Sequence, residues 1–421
     1  MSAVQPVPLA DHPVALTEPK VRVSRLWIAL LSLSNVGLWL AFLTPVEILL
    51  PNQIAALDPT GKVIALSWVT GAGAAVSVVA NPLFGALSDR TVSRFGRRHP
   101  WTLCSMITGA IAVVLVGLQT SVLGVAICWM AVQLCLNAMT ATLTAAVPDR
   151  VPAEQRGLVS AWASLPQVIG PLIGIALVTV LIASQSAAYA ALAVLLIALA
   201  LPFVLLTKDD PLPPQARPAW SLSRFLRGFW VSPRAYPDFA WAWACRFLVQ
   251  LGNFMMTLYI LYFLTDAVHY PDPQTGFLIV TAAFSAGILL TCITGGAISD
   301  RLGRRKVFVF GCSIVQVIGS LIVVGWQTWP ATLITGLVLG LGFGMYLSVD
   351  QALITQVLPV AKDRAKDLGI INIANSAPQV LAPAVAGVAI TYLGGYRGMF
   401  LLAAVVTLLG ALAVIPIRSV R

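Results

Sequence analysis

Twelve apolar runs divide this chain, at 26–50, 63–87, 101–119, 122–147, 158–183, 187–206, 238–265, 275–298, 307–327, 330–356, 369–393 and 396–417. A helix needs about 20 mostly apolar residues to cross a bilayer, and each run is long enough. In lipid every backbone polar group must find an internal partner, so a crossing segment is a helix or a strand of a closed barrel. The strict alternation of a barrel strand is missing from these runs. Composition agrees. The 421 residues are 58% hydrophobic and 10% charged, whereas soluble domains carry about 25% charged residues. The reading is an all-α membrane protein with twelve transmembrane helices.

The basic residues test that count. With residues 1–25 as a cytoplasmic tail, all 26 lysines and arginines except Lys62, Arg397 and Arg246 fall in the tails or in the loops of one side. That is the positive-inside pattern. It places both termini in the cytoplasm and the chain in the cell (plasma) membrane, as a multi-pass inner-membrane protein. The net charge of +10 is therefore topological, and the basic residues do not gather on one solvated face as nucleic-acid binding requires. The tail to Val21, with Pro6, Pro8, Pro13 and Pro19, lacks the basic-then-apolar order of a cleaved signal.

The two halves repeat. Gly85-Ala86-Leu87-Ser88-Asp89-Arg90 returns as Gly296-Ala297-Ile298-Ser299-Asp300-Arg301, an offset of 211 residues. Ser164-Leu165-Pro166-Gln167-Val168 returns as Ser376-Ala377-Pro378-Gln379-Val380, an offset of 212. Six helices separate the copies, so the halves run parallel about an axis along the membrane normal, an arrangement of alternating-access transporters. The division is a tail (1–25), a six-helix bundle (26–206), a cytoplasmic linker (207–236) and a second bundle (237–421). Within the linker, Trp220 to Trp230 has helical apolar spacing and fits either an interfacial amphipathic helix or an ordinary loop helix.

Gly296-x-x-x-Asp300-Arg301-x-Gly303-Arg304-Arg305-Lys306 resembles the loop signature of the major facilitator superfamily. The first copy, from Asp89 through Arg97-Arg98-His99-Pro100-Trp101, is longer and is similar to that of the glycoside–pentoside–hexuronide and sucrose–proton symporters. The resemblance implies the major facilitator fold, with its two halves related by a pseudo-twofold axis. It also implies a cytoplasmic lock built from Asp89, Arg90, Arg97, Arg98, Arg150, Arg156, Asp300, Arg301, Arg304, Arg305 and Arg364. Asp89 would face the start of helix 11 near Lys362 and Arg364, and Asp300 the start of helix 5 near Arg150 and Arg156. The arginines could instead serve topology alone. Gly170-Pro171-x-x-Gly174 resembles part of a drug–proton antiporter signature and is read as packing between the halves.

Charges inside a bilayer are costly and point to function by default. Arg246 in helix 7 and Asp350 in helix 10 both lie ~10 Å from the cytoplasmic boundary at ~1.5 Å per residue. They are expected to pair, as a static bridge or as one that opens with solute or proton. Glu47, near the outer end of helix 1, is the leading proton-coupling candidate, with Asp350 the second. A carboxyl in low-dielectric surroundings can bind and release protons near neutral pH, although a hydrated Glu47 would be inert. Asp266 is expected to be merely interfacial. Asn35, Asn137, Gln250, Asn253 and Gln351 offer amides, and Trp39, Trp68, Tyr259, Tyr262 and Tyr346 offer aromatic faces. With Arg246 they make a candidate cavity for a polyhydroxylated solute; helix–helix bonding is the plainer alternative for each.

The chain has no phosphate-cradling Gly-rich loop, no metal-ligand spacing of His or Cys and no nucleophile–base arrangement. No enzyme activity, cofactor or metal is expected. The function expected is proton-coupled symport of a sugar, glycoside or similar polar solute by a monomer. The alternatives are an exporter of drugs or metabolites working by proton antiport, and a transport-inactive receptor or regulator.

Overall fold

The computed structural model describes residues 19–182, 184–217, 233–234, 236–302, 305–357 and 364–417, with the backbone alone at some helical positions, including 295–302 and 364–373. The stretch 220–230 and the side chains of Asp300, Arg301, Arg304, Gln351, Lys362 and Arg364 lie outside the described residues. Among the described residues there is no strand.

Twelve long helical segments follow one another among the described residues. In the first half they are α1 (Arg25–Leu57), α2 (Lys62–Asp89), α3 (His99–Gly117), α4 (Val122–Arg150), α5 (Glu154–Leu181) and α6 (Gln185–Leu206). In the second they are α7 (Pro237–Leu258, then Ile260–Asp266), α8 (Pro273–Leu302), α9 (Arg305–Gly325), α10 (Trp329–Val357), α11 (Arg364–Tyr392) and α12 (Gly395–Ala413). Caps set several starts: Ser24 accepts from the Trp27 N–H, and Ser121 from that of Gly124.

Proline shapes α1. Pro45 has no N–H to donate to the carbonyl four residues back, and the helix widens into a π turn over Pro45–Leu49 that carries Glu47. Such turns recur at functional sites. In α7 the two pieces meet at Tyr259 with a bend of 41°.

Packing repeats between the halves. α1 lies on α5 and α6, α2 on α4, and α3 on α4 and α6; α7 lies on α11 and α12, α8 on α10, and α9 on α10 and α12. Between the halves, α2 meets α11 and α5 meets α8, two contacts that a twofold exchange of the bundles interconverts. Small residues permit the close approaches: a Cβ added at Gly340 in α10 would stand 2.1 Å from the Phe284 carbonyl oxygen in α8. The Gly170/Gly174 face corrects an expectation. It packs on α1 of its own half, where added Cβ atoms would meet Leu40 N at 3.1 Å and Thr44 Oγ1 at 1.9 Å, and not on the other half.

Candidate functional site

Arg246 and Asp350 lie inside the second half, on α7 and α10, which pack against one another. Arg246 Nη1 lies 3.0 Å from Asp350 Oδ2, and both side chains are 4% exposed. The pair expected from sequence is thus present. Tyr346, one helical turn before Asp350, is buried, and its hydroxyl has no hydrogen-bond partner among the described residues. Gln250 and Asn253 follow Arg246 at i+4 and i+7 and share its face of α7. Both are buried, and among the described residues Gln250 Oε1 and Asn253 Oδ1 accept no hydrogen bond. Buried polar atoms in folded proteins nearly always have a partner, so two bare acceptors beside an ion pair mark a place where a donor belongs.

On the first half, Asn35 donates to its own helix at the Leu31 carbonyl (2.9 Å), and Asn137 donates to Gln133 O and Oε1 at 2.8 and 3.0 Å. Trp39 lies edge-on to Phe42 with ring centroids 5.7 Å apart. Glu47 is partly buried in the π turn and has no ion or hydrogen-bond partner among the described residues.

Three cavity candidates belong elsewhere. Trp68 is 73% exposed, close to the end of α2 where the halves are sealed, so it faces outward and not into a central cavity. Tyr259 and Tyr262 are buried within that seal. The Tyr259 hydroxyl shares a hydrogen bond of 2.6 Å with Ser67 Oγ, and Tyr262 donates to the Pro51 carbonyl at 2.7 Å. Both contacts join one half to the other near the end that carries Lys62 and Asp266, called here the far end.

At the opposite, arginine-rich end, the partners are local. Arg97 pairs with Asp149 at 2.7 Å, Arg98 with Asp149 at 2.8 Å and with Asp89, and Arg150 with Asp210. Arg156 donates to the Val151 and Pro148 carbonyls. Asp89 pairs with Arg98 of its own half; Lys362 and the side chain of Arg364, which Asp89 is expected to face, lie outside the described residues. Burial opposes the charge of Arg98, but Asp149 and Asp89 outweigh it and push its pKa above the usual value. Asp209 caps α3 by accepting from the N–H groups of Arg98 (2.5 Å) and His99 (2.9 Å). In the second half Lys306 donates to the Ile415 and Ile417 carbonyls just past α12. Each half thus ties the start of its third helix to the end of its sixth. Among the described residues no group of His, Cys, Asp and Glu could hold a metal.

Sequence reasoning missed Asp149, Asp209 and Asp210. The available signal was their adjacency to basic residues in loops already suspected of ionic pairing.

Two six-helix bundles of matching internal packing meet through α2–α11 and α5–α8, and most of their long helices are apolar enough to cross a membrane. The chain belongs to the Major Facilitator Superfamily, whose family model matches residues 28–271 and 242–421. The crystal structure of a single-substitution mutant of the nucleoside transporter NupG superposes with a TM-score of 0.72 at 14% identity, covering 93% of this chain and 99% of that one. Multidrug resistance protein MdtL of Shewanella oneidensis is 31% identical over 107 residues, 25% of this chain and 26% of that protein. Myo-inositol transporter 1 of Candida albicans is 36% identical over 89 residues, 21% and 15% of the two chains. The chain spans about a quarter or less of the length of the curated relatives it matches.

Proposed function

We propose that this protein is a proton-coupled symporter for a sugar, glycoside or similar polar organic solute. It would work by alternating access in the cell membrane, with the arginine-rich end and both termini in the cytoplasm. The observation that carries the reading is the pair of bare acceptors, Gln250 Oε1 and Asn253 Oδ1, beside Arg246–Asp350. Hydroxyl groups of a solute supply the missing donors. A lipophilic drug would leave both acceptors unpaired at a cost of about 1–3 kcal/mol each, which disfavours the export reading that the name of MdtL suggests. The name of the myo-inositol transporter points toward hydroxylated solutes, although the matched stretch is short.

Glu47 is the proton carrier in this scheme. A lone carboxylate inside a bilayer is costly to keep charged, and a proton removes that cost while the far end opens and closes around it. Asp350, held by Arg246, is the second coupling candidate. The ion pairs of Arg97 and Arg98 within the first half, and of Arg150 with Asp210 of the linker, are local members of the cytoplasmic lock in this scheme.

The test uses the purified chain in proteoliposomes with an imposed pH gradient and a panel of labelled sugars and glycosides. Wild type accumulates one of them, and a protonophore abolishes the accumulation. Glu47→Gln retains downhill exchange of the same solute and loses gradient-driven accumulation. A Glu47→Gln protein that accumulates solute as wild type does would remove Glu47 from the coupling step.

A further inference from the structure

The far end holds a cluster that the carrier reading does not itself require. Lys62 begins α2 in the first half, and Asp266 ends the second piece of α7 in the other half. Lys62 Nζ donates to Asp266 Oδ1 at 2.6 Å, with the two side chains 19% and 31% exposed. The second carboxylate oxygen, Oδ2, accepts from the Tyr396 hydroxyl of α12 at 2.7 Å. The same ammonium stands 4.8 Å from the centre of the Tyr262 ring, a cation–π distance. Tyr262 in turn donates across the seam to the Pro51 carbonyl. One cation of the first half is therefore held by a carboxylate and a ring of the second. Tyr396 fixes the carboxylate so that its free oxygen meets that cation.

We infer that Lys62 and Asp266 form an electrostatic latch that biases the empty carrier toward the arrangement closed at the far end, with Tyr396 as the positioning residue. Separating the halves there breaks the ion pair, strips the ring from the ammonium and leaves Asp266 with Tyr396 alone. The Ser67–Tyr259 contact, deeper in the seam, gives neutral hydrogen bonding that salt does not screen. The ionic part is partly exposed, so salt weakens it. A partly exposed pair is worth little in isolation, yet a modest bias suffices to set which state of a near-balanced equilibrium dominates.

The inference rests on the alternating-access reading, and its test needs no solute, so it fails or stands separately from the transport assay. Spin labels are placed at Leu118→Cys and Trp326→Cys in a background with the six native cysteines replaced. These positions are 60% and 67% exposed, just past α3 and α9 at the far end and one in each half. Pulsed electron–electron distance distributions are recorded in lipid nanodiscs. Lys62→Gln and Asp266→Asn each raise the ratio of long to short distances by about threefold, as loss of a pair of this exposure implies. The double variant raises it no further than the stronger single one, and Tyr396→Phe gives a smaller shift in the same direction. Taking unsubstituted Lys62–Asp266 protein from low salt to about 1 M, where the Debye length is about 3 Å, moves the distribution the same way. Salt does nothing in the double variant. Distributions of both single variants identical to wild type would overturn the latch, as would a salt response that persists in the double variant. The salt series on the unsubstituted pair decides the matter even if a substituted chain fails to insert.

Discussion

Arg246 and Asp350 form the most buried ion pair among the described residues. Both are buried at 3.0 Å, and removing one partner leaves an uncompensated charge in a low-dielectric interior, a loss of about 3–5 kcal/mol. Arg246→Met and Asp350→Leu are each expected to lower the unfolding midpoint in detergent strongly, and the double substitution to recover most of that loss. A double variant as unstable as the sum of the singles would mean that the two do not act as a pair. This contact was legible in the sequence because intramembrane charges are so few that two at matching depth select each other. The Lys62–Asp266 contact was not. Its members stand 204 residues apart and each at the end of an apolar run, where a lone charge reads as interfacial. Trp68 misled for the opposite reason: an aromatic ring next to Ser67 shares its helix but not its face, and only the packing shows which face meets the seam.

At the scale of elements, run length located the long helices among the described residues, because the bilayer forces backbone pairing along the whole run. Local shape was less accessible. Pro45 marks a disturbance in α1, but the π turn that presents Glu47 is one of several ways a helix can absorb a proline. The bend at Tyr259 has neither glycine nor proline to announce it and coincides with the cross-half contact of its own hydroxyl. Small residues likewise announce close packing without naming the partner, as Gly170 and Gly174 show. The interface of α8 with α10 gives a direct check. Gly340→Ala places a Cβ against the backbone oxygen of Phe284, which cannot move alone, and is expected to destabilise the second half by about 1–3 kcal/mol. Gly85→Ala in α2, with open space around the added Cβ, is expected to be neutral or slightly stabilising. Thermal unfolding of the two variants side by side checks the contrast.

Over the whole molecule, the internal repeat at 211–212 residues foretold the symmetric packing, since equal sequences in equal order bury equal faces. It could not foretell which end is shut, because both states draw on the same contacts in turn. In this arrangement the far end is held by Tyr259, Tyr262 and the Lys62–Asp266 pair. The acidic partners of Arg97 and Arg98 lie in their own half and that of Arg150 in the linker, and the amide oxygens of Gln250 and Asn253 are bare among the described residues. Under the proposed symport reading, a carrier resting this way, with Glu47 in the π turn, moves solute and proton together. The most direct measurement is the external pH of a weakly buffered proteoliposome suspension when a transported sugar or glycoside is added without any imposed gradient. Symport requires the medium to turn alkaline as protons follow the solute inward, and the change should vanish in Glu47→Gln. Acidification on solute entry, or solute entry with no pH change at all, would contradict the account.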